Sequence, residues 1–199
     1  MEMASLHLQE RRRPLATQAG LSTIDLIMGM ALAVVLLGLA VPPFQGLLSR
    51  YRTLSEAHEL SQVLLFARSE AIRRGARVTV CRSSSFSSER PNCDGDRWDQ
   101  GWIAFLDNTD TSGNRPGMLD AGDQLLRIGA GRPTVRVEPT ATYRDWLAFT
   151  PTGRPIGSTG LGNGTFCLLD GSSRRDVVIA VTGRVSVTAP MTFPTQATC

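Results

Sequence analysis

The sequence predicts an α+β fold. One long N-terminal helix, apolar in its first half, packs through its second half on an antiparallel β-sheet head. Three observations carry this prediction. Sixteen residues from Leu26 to Val41 contain no charged or polar side chain. From Leu47 to Ala71 apolar residues recur at spacings of three or four, with no Gly or Pro between Gly46 and Gly75, which is the period of a helix. After Gly75 the period becomes two, in short runs separated by Gly, Asn, Asp, Ser and Pro, which is the period of strands.

Composition bounds the answer without revealing this division. The 199 residues carry 21 basic and 18 acidic side chains, every basic one an Arg, for a net charge of +3. That excludes a polycation or an acidic disordered tail. A hydrophobic content of 42% excludes a polytopic membrane protein. The charge is unevenly spread: residues 77–130 sum to −2 and residues 131–199 to +3.

The elements follow in order. Arg11, Arg12 and Arg13 precede the apolar run, a basic flank of the kind found on the cytoplasmic side of an inserted helix. A helix from residue 21 to 41 reaches about 31 Å, close to the thickness of the hydrocarbon core. Pro42-Pro43 marks a kink or an end there. A cleaved secretory signal is the alternative, with Gly38-Leu39-Ala40 offering small residues for its cleavage. Asp25, a charge inside the run, argues against it. In the second helical half, Leu47, Tyr51, Leu54, Ala57, Leu60, Leu64, Ala67 and Ala71 form the stripe that faces the head. Arg50, Arg52, Glu56, Glu59, Arg68, Glu70 and Arg74 fill the remainder. His58 falls on a solvated or filament-facing side. Arg73 and Arg74 suit the negative end of the helix dipole, and Gly75 suits its C-terminal cap.

Several segments together resemble one family. Gly20-Leu21-Ser22-Thr23-Ile24-Asp25-Leu26, followed by the apolar run and Pro42, resembles a type IV prepilin (class III) signal, with Leu21 where Phe is usual and Asp25 where Glu is usual. Leu64, Ala67-Arg68-Ser69-Glu70-Ala71-Ile72, Arg74-Gly75, Val78 and Cys81 resemble the LxxARSEAIxRGxxVxxC stretch of FimT/GspH-type minor pilins and pseudopilins. Trp98, Gly101-Trp102 and Phe105, then Asp120, Gly122-Asp123 and Leu126-Arg127, resemble two further motifs of that family. The resemblance implies a type IV pilin-like fold. It implies a leader over 1–20, a transmembrane or filament-core half-helix over 21–47 and a periplasmic or extracellular head over 48–199, helical to about 75. It further implies cleavage between Gly20 and Leu21 by prepilin peptidase and methylation of Leu21. The Asp25 carboxylate would meet the N-terminal amine of a neighbouring subunit. A buried carboxylate is costly without a partner, so that pairing would fix the register between subunits. The implied partners are other major and minor pilins or pseudopilins, prepilin peptidase and the inner membrane, crossed once with the head in the periplasm.

In the head, strands are expected at 77–82, 101–106, 124–129, 134–138, 146–150, 165–169, 176–181 and 184–188, the last two joined by a tight turn at Thr182-Gly183. Four cysteines allow three pairings. Cys81–Cys93 and Cys167–Cys199 are expected, the first closing a short loop and the second pinning the C-terminal tail to a central strand. Free thiols are the alternative in a reducing compartment. No C-x-x-C pair is present and only His7 and His58 could join a zinc site, so no metal or other cofactor is expected. Asp94, Asp96, Asp99, Asp107, Asp110, Asp120 and Asp123 fit no EF-hand spacing and read as turn formers, with a cation site as the alternative.

No catalytic motif is present: there is no G-x-S-x-G, no phosphate-binding Gly loop and no H-E-x-x-H. The protein is expected not to be an enzyme. Some pilins of the resembling family bind DNA through C-terminal basic residues, including a G-R-x-R motif. Here Gly183-Arg184-Val185-Ser186 carries only its first Arg. Arg174 and Arg175, placed in a loop after Gly171-Ser172-Ser173, join Arg184 as candidate contacts to double-stranded DNA, with Arg132 and Arg154 as further members. Solubility is the alternative role for these arginines. Three functions therefore stand side by side. They are a minor pilin assembling or priming a type IV pilus, with or without DNA uptake, a GspH-like pseudopilin of a type II secretion system, and a secreted β domain that binds an external ligand.

Overall fold

The computed structural model describes residues 22–108, 115–192 and 199, without the side chains of 39–44 and 192. The chain divides into two compact units, Met1–Pro42 and Pro43–Cys199. Helix α1 is continuous in secondary structure over Thr23–Arg74, so Pro42-Pro43 falls where the units divide but does not end the helix.

The start of α1 is built locally. The Ser22 hydroxyl accepts a hydrogen bond from the Ile24 N–H, and the Asp25 carboxylate accepts one from the Ser22 N–H at 3.2 Å. This is the reciprocal arrangement of a capping box. Its end is as expected: α1 stops at Arg74 and Gly75 takes φ +63. Between these ends, Leu26 to Leu37 expose their large apolar side chains by 59–69%. Among the described residues no helix is long and apolar enough to cross a membrane, so the described residues do not bear out the expected span.

The head holds ten strands among the described residues. They are β1 (Val78–Arg82), β2 (Gly101–Leu106), β3 (Gln124–Ala130), β4 (Arg136–Pro139), β5 (Trp146–Phe149), β6 (Pro155–Gly157), β7 (Gly164–Asp170), β8 (Ser173–Ile179), β9 (Val185–Val187) and β10 (Met191–Thr192). They form two sheets, ordered β3-β2-β1-β5-β6 and β10-β8-β7-β4, with β9 also paired to β8. Every named pairing is antiparallel.

One core joins the head's part of α1 to both sheets. Ala57, Leu60, Leu64, Ala67 and Ala71 meet Val78, Val80 and Phe149 from the first sheet and Phe166, Leu168 and Val177 from the second. Leu47 and Tyr51 leave the expected stripe, being 48% and 62% exposed. The helical angle explains this. At roughly 100° per residue, Tyr51 falls almost opposite Thr53, Leu60, Leu64, Ala67 and Ala71. The same arithmetic brings Glu56 onto the buried side, and it is 5% exposed.

The alternate residues of β1 and β2, Cys81, Ile103 and Phe105, face away from that core into a small second cluster with Phe86, Cys93, Leu119 and Trp146. The Cys81–Cys93 disulfide pins the covering loop to that back face, and Cys167–Cys199 ties residue 199 to β7, as expected. Replacing Cys81 and Cys93 together by Ala should cost about 3 kcal/mol of stability, the loop-closure value for a ring of that size. A fall in the urea midpoint measured under non-reducing conditions checks this.

The β7–β8 connection corrects the expected one. Asp170 pairs with Ser173 across a tight hairpin in which Gly171 takes φ +57. The turn uses only two residues, so β8 begins at Ser173 rather than 176. Arg174 and Arg175 are therefore strand residues, not loop residues. The β8–β9 hairpin turns at 180–183 as expected, with Gly183 at φ +78.

Candidate functional site

The site residues expected from the sequence fall in three places. Gly20 and Leu21, the processing position, lie outside the described residues. Asp25 is in the first turn of α1, exposed, with its carboxylate on the Ser22 N–H. A negative group there also complements the helix dipole. Beside it Leu26, Gly29, Met30 and Ala33 line a shallow, largely apolar groove. Among its described residues this unit presents one carboxylate, Asp25, beside exposed apolar side chains.

The second place is where the head grips α1. The Ser49 hydroxyl donates to the Asp170 carbonyl, and the Thr53 hydroxyl meets that of Ser173 at 3.1 Å. Arg132, from the β3–β4 connection, reaches Ser55 at 3.2 Å, Glu59 at 3.4 Å and Glu56 at 3.5 Å. It belongs to this latch and is spent on it. Asp99 is fully buried, and Arg97 meets one of its oxygens at 2.9 Å. Oε2 of Glu56 and Oδ2 of Asp99 have no hydrogen-bond partner among the described residues. Burial, reinforced by the charge on Glu59, pushes the Glu56 carboxyl from 4.5 up to about 7, against the pull of Arg132.

The sign follows from linkage. A carboxyl whose pKa is raised on folding keeps its full contribution below the unfolded value of 4.5. It loses that contribution as pH rises through the folded value of about 7. The head is thus expected to lose roughly 2–3 kcal/mol between pH 4.5 and 8 through this group. Glu56→Gln should flatten that slope and raise the melting temperature at pH 8, and melting curves across this range test it.

The third place holds the C-terminal arginines, which the fold separates. Arg174 is clamped by Asp176 through two bonds of 2.7 and 3.0 Å, with only 14% of its side chain exposed. Arg175 donates to the Thr188 carbonyl at 3.0 Å. Arg184 lies beyond the far end of β8, about 20 Å from Arg174 at ~3.3 Å per strand residue. Its neighbours are different ones. Arg68 of α1 donates to the carbonyls of Gly153 at 3.1 Å and Thr182 at 3.0 Å, binding two turns together. A Cβ on Gly183 would stand 2.1 Å from the Gly153 oxygen, so these turns touch. Arg154 and Arg184, the residues that follow, are both exposed and have no ion pair among the described residues. The sequence missed Arg68 as the organiser, because it is read there only as a polar helix residue and a motif position.

Asp94 and Asp107, expected as turn formers, instead bridge segments nine or more residues apart in sequence, and Asp110 lies outside the described residues. Asp94 accepts from the backbone of Ser84 and Ser85, and Asp107 from Thr79 and Gly117. Among the described residues no cluster of three or more His, Cys, Asp or Glu could hold a metal ion.

Residues 56–183 match the family model described as type II transport protein GspH. Among solved structures, the type IV minor pilin FimU of Pseudomonas aeruginosa is similar in two crystal forms. In space group P21 it is 20% identical with a TM-score of 0.51, over 70% of this chain and 90% of that one. In P65 it is 19% identical with a TM-score of 0.50, over 68% and 92%. The minor pseudopilin EpsH from the Type 2 Secretion System of Vibrio cholerae is 14% identical with a TM-score of 0.44, over 67% and 93%. No curated protein matches. At these identities the likeness to FimU speaks for the fold.

Proposed function

The chain belongs to the GspH family, and from that premise we propose that it assembles or primes a type IV pilus as an anchored subunit. It is a minor pilin or pseudopilin, a structural component rather than an enzyme. The single observation that carries the proposal is the N-terminal unit. Its apolar side chains are exposed over several turns, with one carboxylate, Asp25, among them. Such a surface is stable only in lipid or against other apolar helices. The inner membrane before assembly and a filament core after it are two such surroundings, and prepilin peptidase acting between Gly20 and Leu21 would connect them. The partners are then other pilins.

A strain lacking the protein should lose or shorten its surface pili and keep secretion of exoproteins. Normal pili with failed secretion would place it instead in a type II secretion pseudopilus. Normal pili and normal secretion together would overturn both.

Duplex DNA is a second reading, and Arg154 and Arg184 favour it over the strand arginines. They are exposed, unpaired among the described residues, and brought to one edge by Arg68. Two neutralised phosphates would give a slope of log K against log salt near −1.8. In gel-shift assays with the full chain in non-ionic detergent, Arg154→Ala with Arg184→Ala should abolish the shift of duplex DNA at low salt. Arg174→Ala should leave it unchanged. No shift by the unaltered protein at low salt removes this reading.

A further inference from the structure

The edges of the two sheets are unequal. In the first sheet β6 is three residues long and opens with Pro155, and in the second β4 is four residues long and closes with Pro139. The other edge of the second sheet is divided between β9 and β10, with Pro190 between them. Short strands and prolines keep a sheet edge from pairing with other chains. β3 has neither. It runs seven residues without Pro, from Gln124 to Ala130, and pairs on one side, with β2. Its one irregularity is a bulge opposite Ala104 and Phe105, which leaves residues 127–130 in regular register.

The ladder shows which groups of β3 are open. The Gly131 N–H donates to the Gln100 carbonyl, and the Ser83 N–H donates to the Gly101 carbonyl. Gly101, opposite Ala130, thus bonds toward β1 and not toward β3. Antiparallel ladders alternate in this way residue by residue. Arg127 and Gly129 therefore bond to β2, whereas Ile128 and Ala130 turn N–H and C=O outward. Among the described residues no hydrogen bond reaches those outward groups. The side chains alternate as well. Leu125, 40% exposed, and Ile128, 47% exposed, lie opposite Phe105 and Ile103 on the back face. Arg127 turns to the α1 side, over the Phe66 ring at 5.6 Å, and closes a shallow trough with Tyr51, Leu54, His58 and Gln62. It has no ion pair among the described residues, and Glu59, the one acid of that trough, is held by Arg132 at 3.4 Å.

We propose that β3 is a strand acceptor, to which an extended segment of another protein adds as a further antiparallel strand. Open N–H and C=O groups at every second residue are satisfied by an extended chain, not by a helix, whose backbone bonds are internal. The direction follows the sheet, in which every pairing is antiparallel. The period of two then states the chemistry of the segment. Its residues beside Leu125 and Ile128 are apolar. Its residue facing Arg127 is a carboxylate, because opposite charges attract across neighbouring strands. A second copy fits less well. Antiparallel pairing of two β3 strands brings both Arg127 side chains onto one face with no carboxylate between them. Strand addition here does not depend on which filament the chain enters.

Fluorescence polarisation of the labelled peptide Val-Thr-Val-Glu-Val-Thr-Val, titrated with the full chain in non-ionic detergent, tests this. Saturable one-to-one binding is expected. In an antiparallel ladder the valines, which share a face with Ile128, also carry the N–H groups that bond to it. N-methylation of the inner valines should therefore abolish binding, and N-methylation of the threonines should leave it intact. Arg127→Glu should weaken binding about threefold, and a peptide with Arg in place of its Glu should recover it on that variant. Arg154→Glu, the same charge change elsewhere on the head, should have no effect. No saturable binding, or equal loss from both methylation patterns, overturns the proposal. Disulfide-linked dimers of an Ile128→Cys protein that the peptide prevents would make a second copy the occupant and overturn it too.

Discussion

Asp25→Ala and Asp25→Asn should both reduce recovery of the protein in sheared filaments at least about tenfold, with its level in the membrane unchanged. The estimate follows from charge: an unpaired carboxylate in an apolar assembly costs several kcal/mol, and its pairing with an amine is lost with the charge. The two substitutions separate two roles. In the single subunit Asp25 accepts a hydrogen bond from the Ser22 N–H and begins α1. Asparagine preserves an acceptor there and is a good helix-start residue. Filaments that tolerate Asn and reject Ala would make Asp25 a helix cap only. Filaments that reject both would make it the contact between subunits. Quantitative immunoblots of sheared and membrane fractions give the ratio.

Phe166→Ala should destabilise the head by about 4–5 kcal/mol, near the upper end for a buried aromatic. Phe166 is fully buried on β7. Its ring stands edge-on to Trp98 at 5.0 Å and stacks on Tyr143 at 5.5 Å. These contacts come from the 3-10 turns Trp98–Gln100, before β2, and Ala141–Tyr143, before β5, so the ring ties separate parts of the chain to the second sheet. Truncation loses both aromatic pairs as well as the buried area. An urea midpoint within experimental error of the unaltered protein would contradict this account of the core.

What the sequence revealed and what it hid divide along the range of the interactions. The end of α1 at Gly75 and eight of the strands are local matters of periodicity, caps and turns, and they were legible. The short strand Pro155–Gly157 was not, because its Pro and Gly read as a turn and only pairing with β5 makes it a strand. Glu56 looked like one more solvated helix residue. Its burial depends on the head closing over that side of α1, and that burial is the main cause of its raised pKa, with Glu59 from the helix and Asp99 from the head adding to it. The strand placement of Arg174 and Arg175 was hidden for a similar reason. A two-residue turn at Gly171 moved Arg174 into a strand beside Asp176, and no local signal distinguishes that turn from a longer loop. The grouping of Arg154 with Arg184 needs Arg68 to join two hairpins distant in sequence.

The central claim is that residues from Leu21 onward form a retained, processed pilin helix. Intact-mass and N-terminal peptide analysis of the protein purified from membranes tests it most directly. The account predicts a mature chain that begins at Leu21 and carries one N-terminal methyl group. A mature chain that begins near Val41, with the apolar run removed, would contradict it.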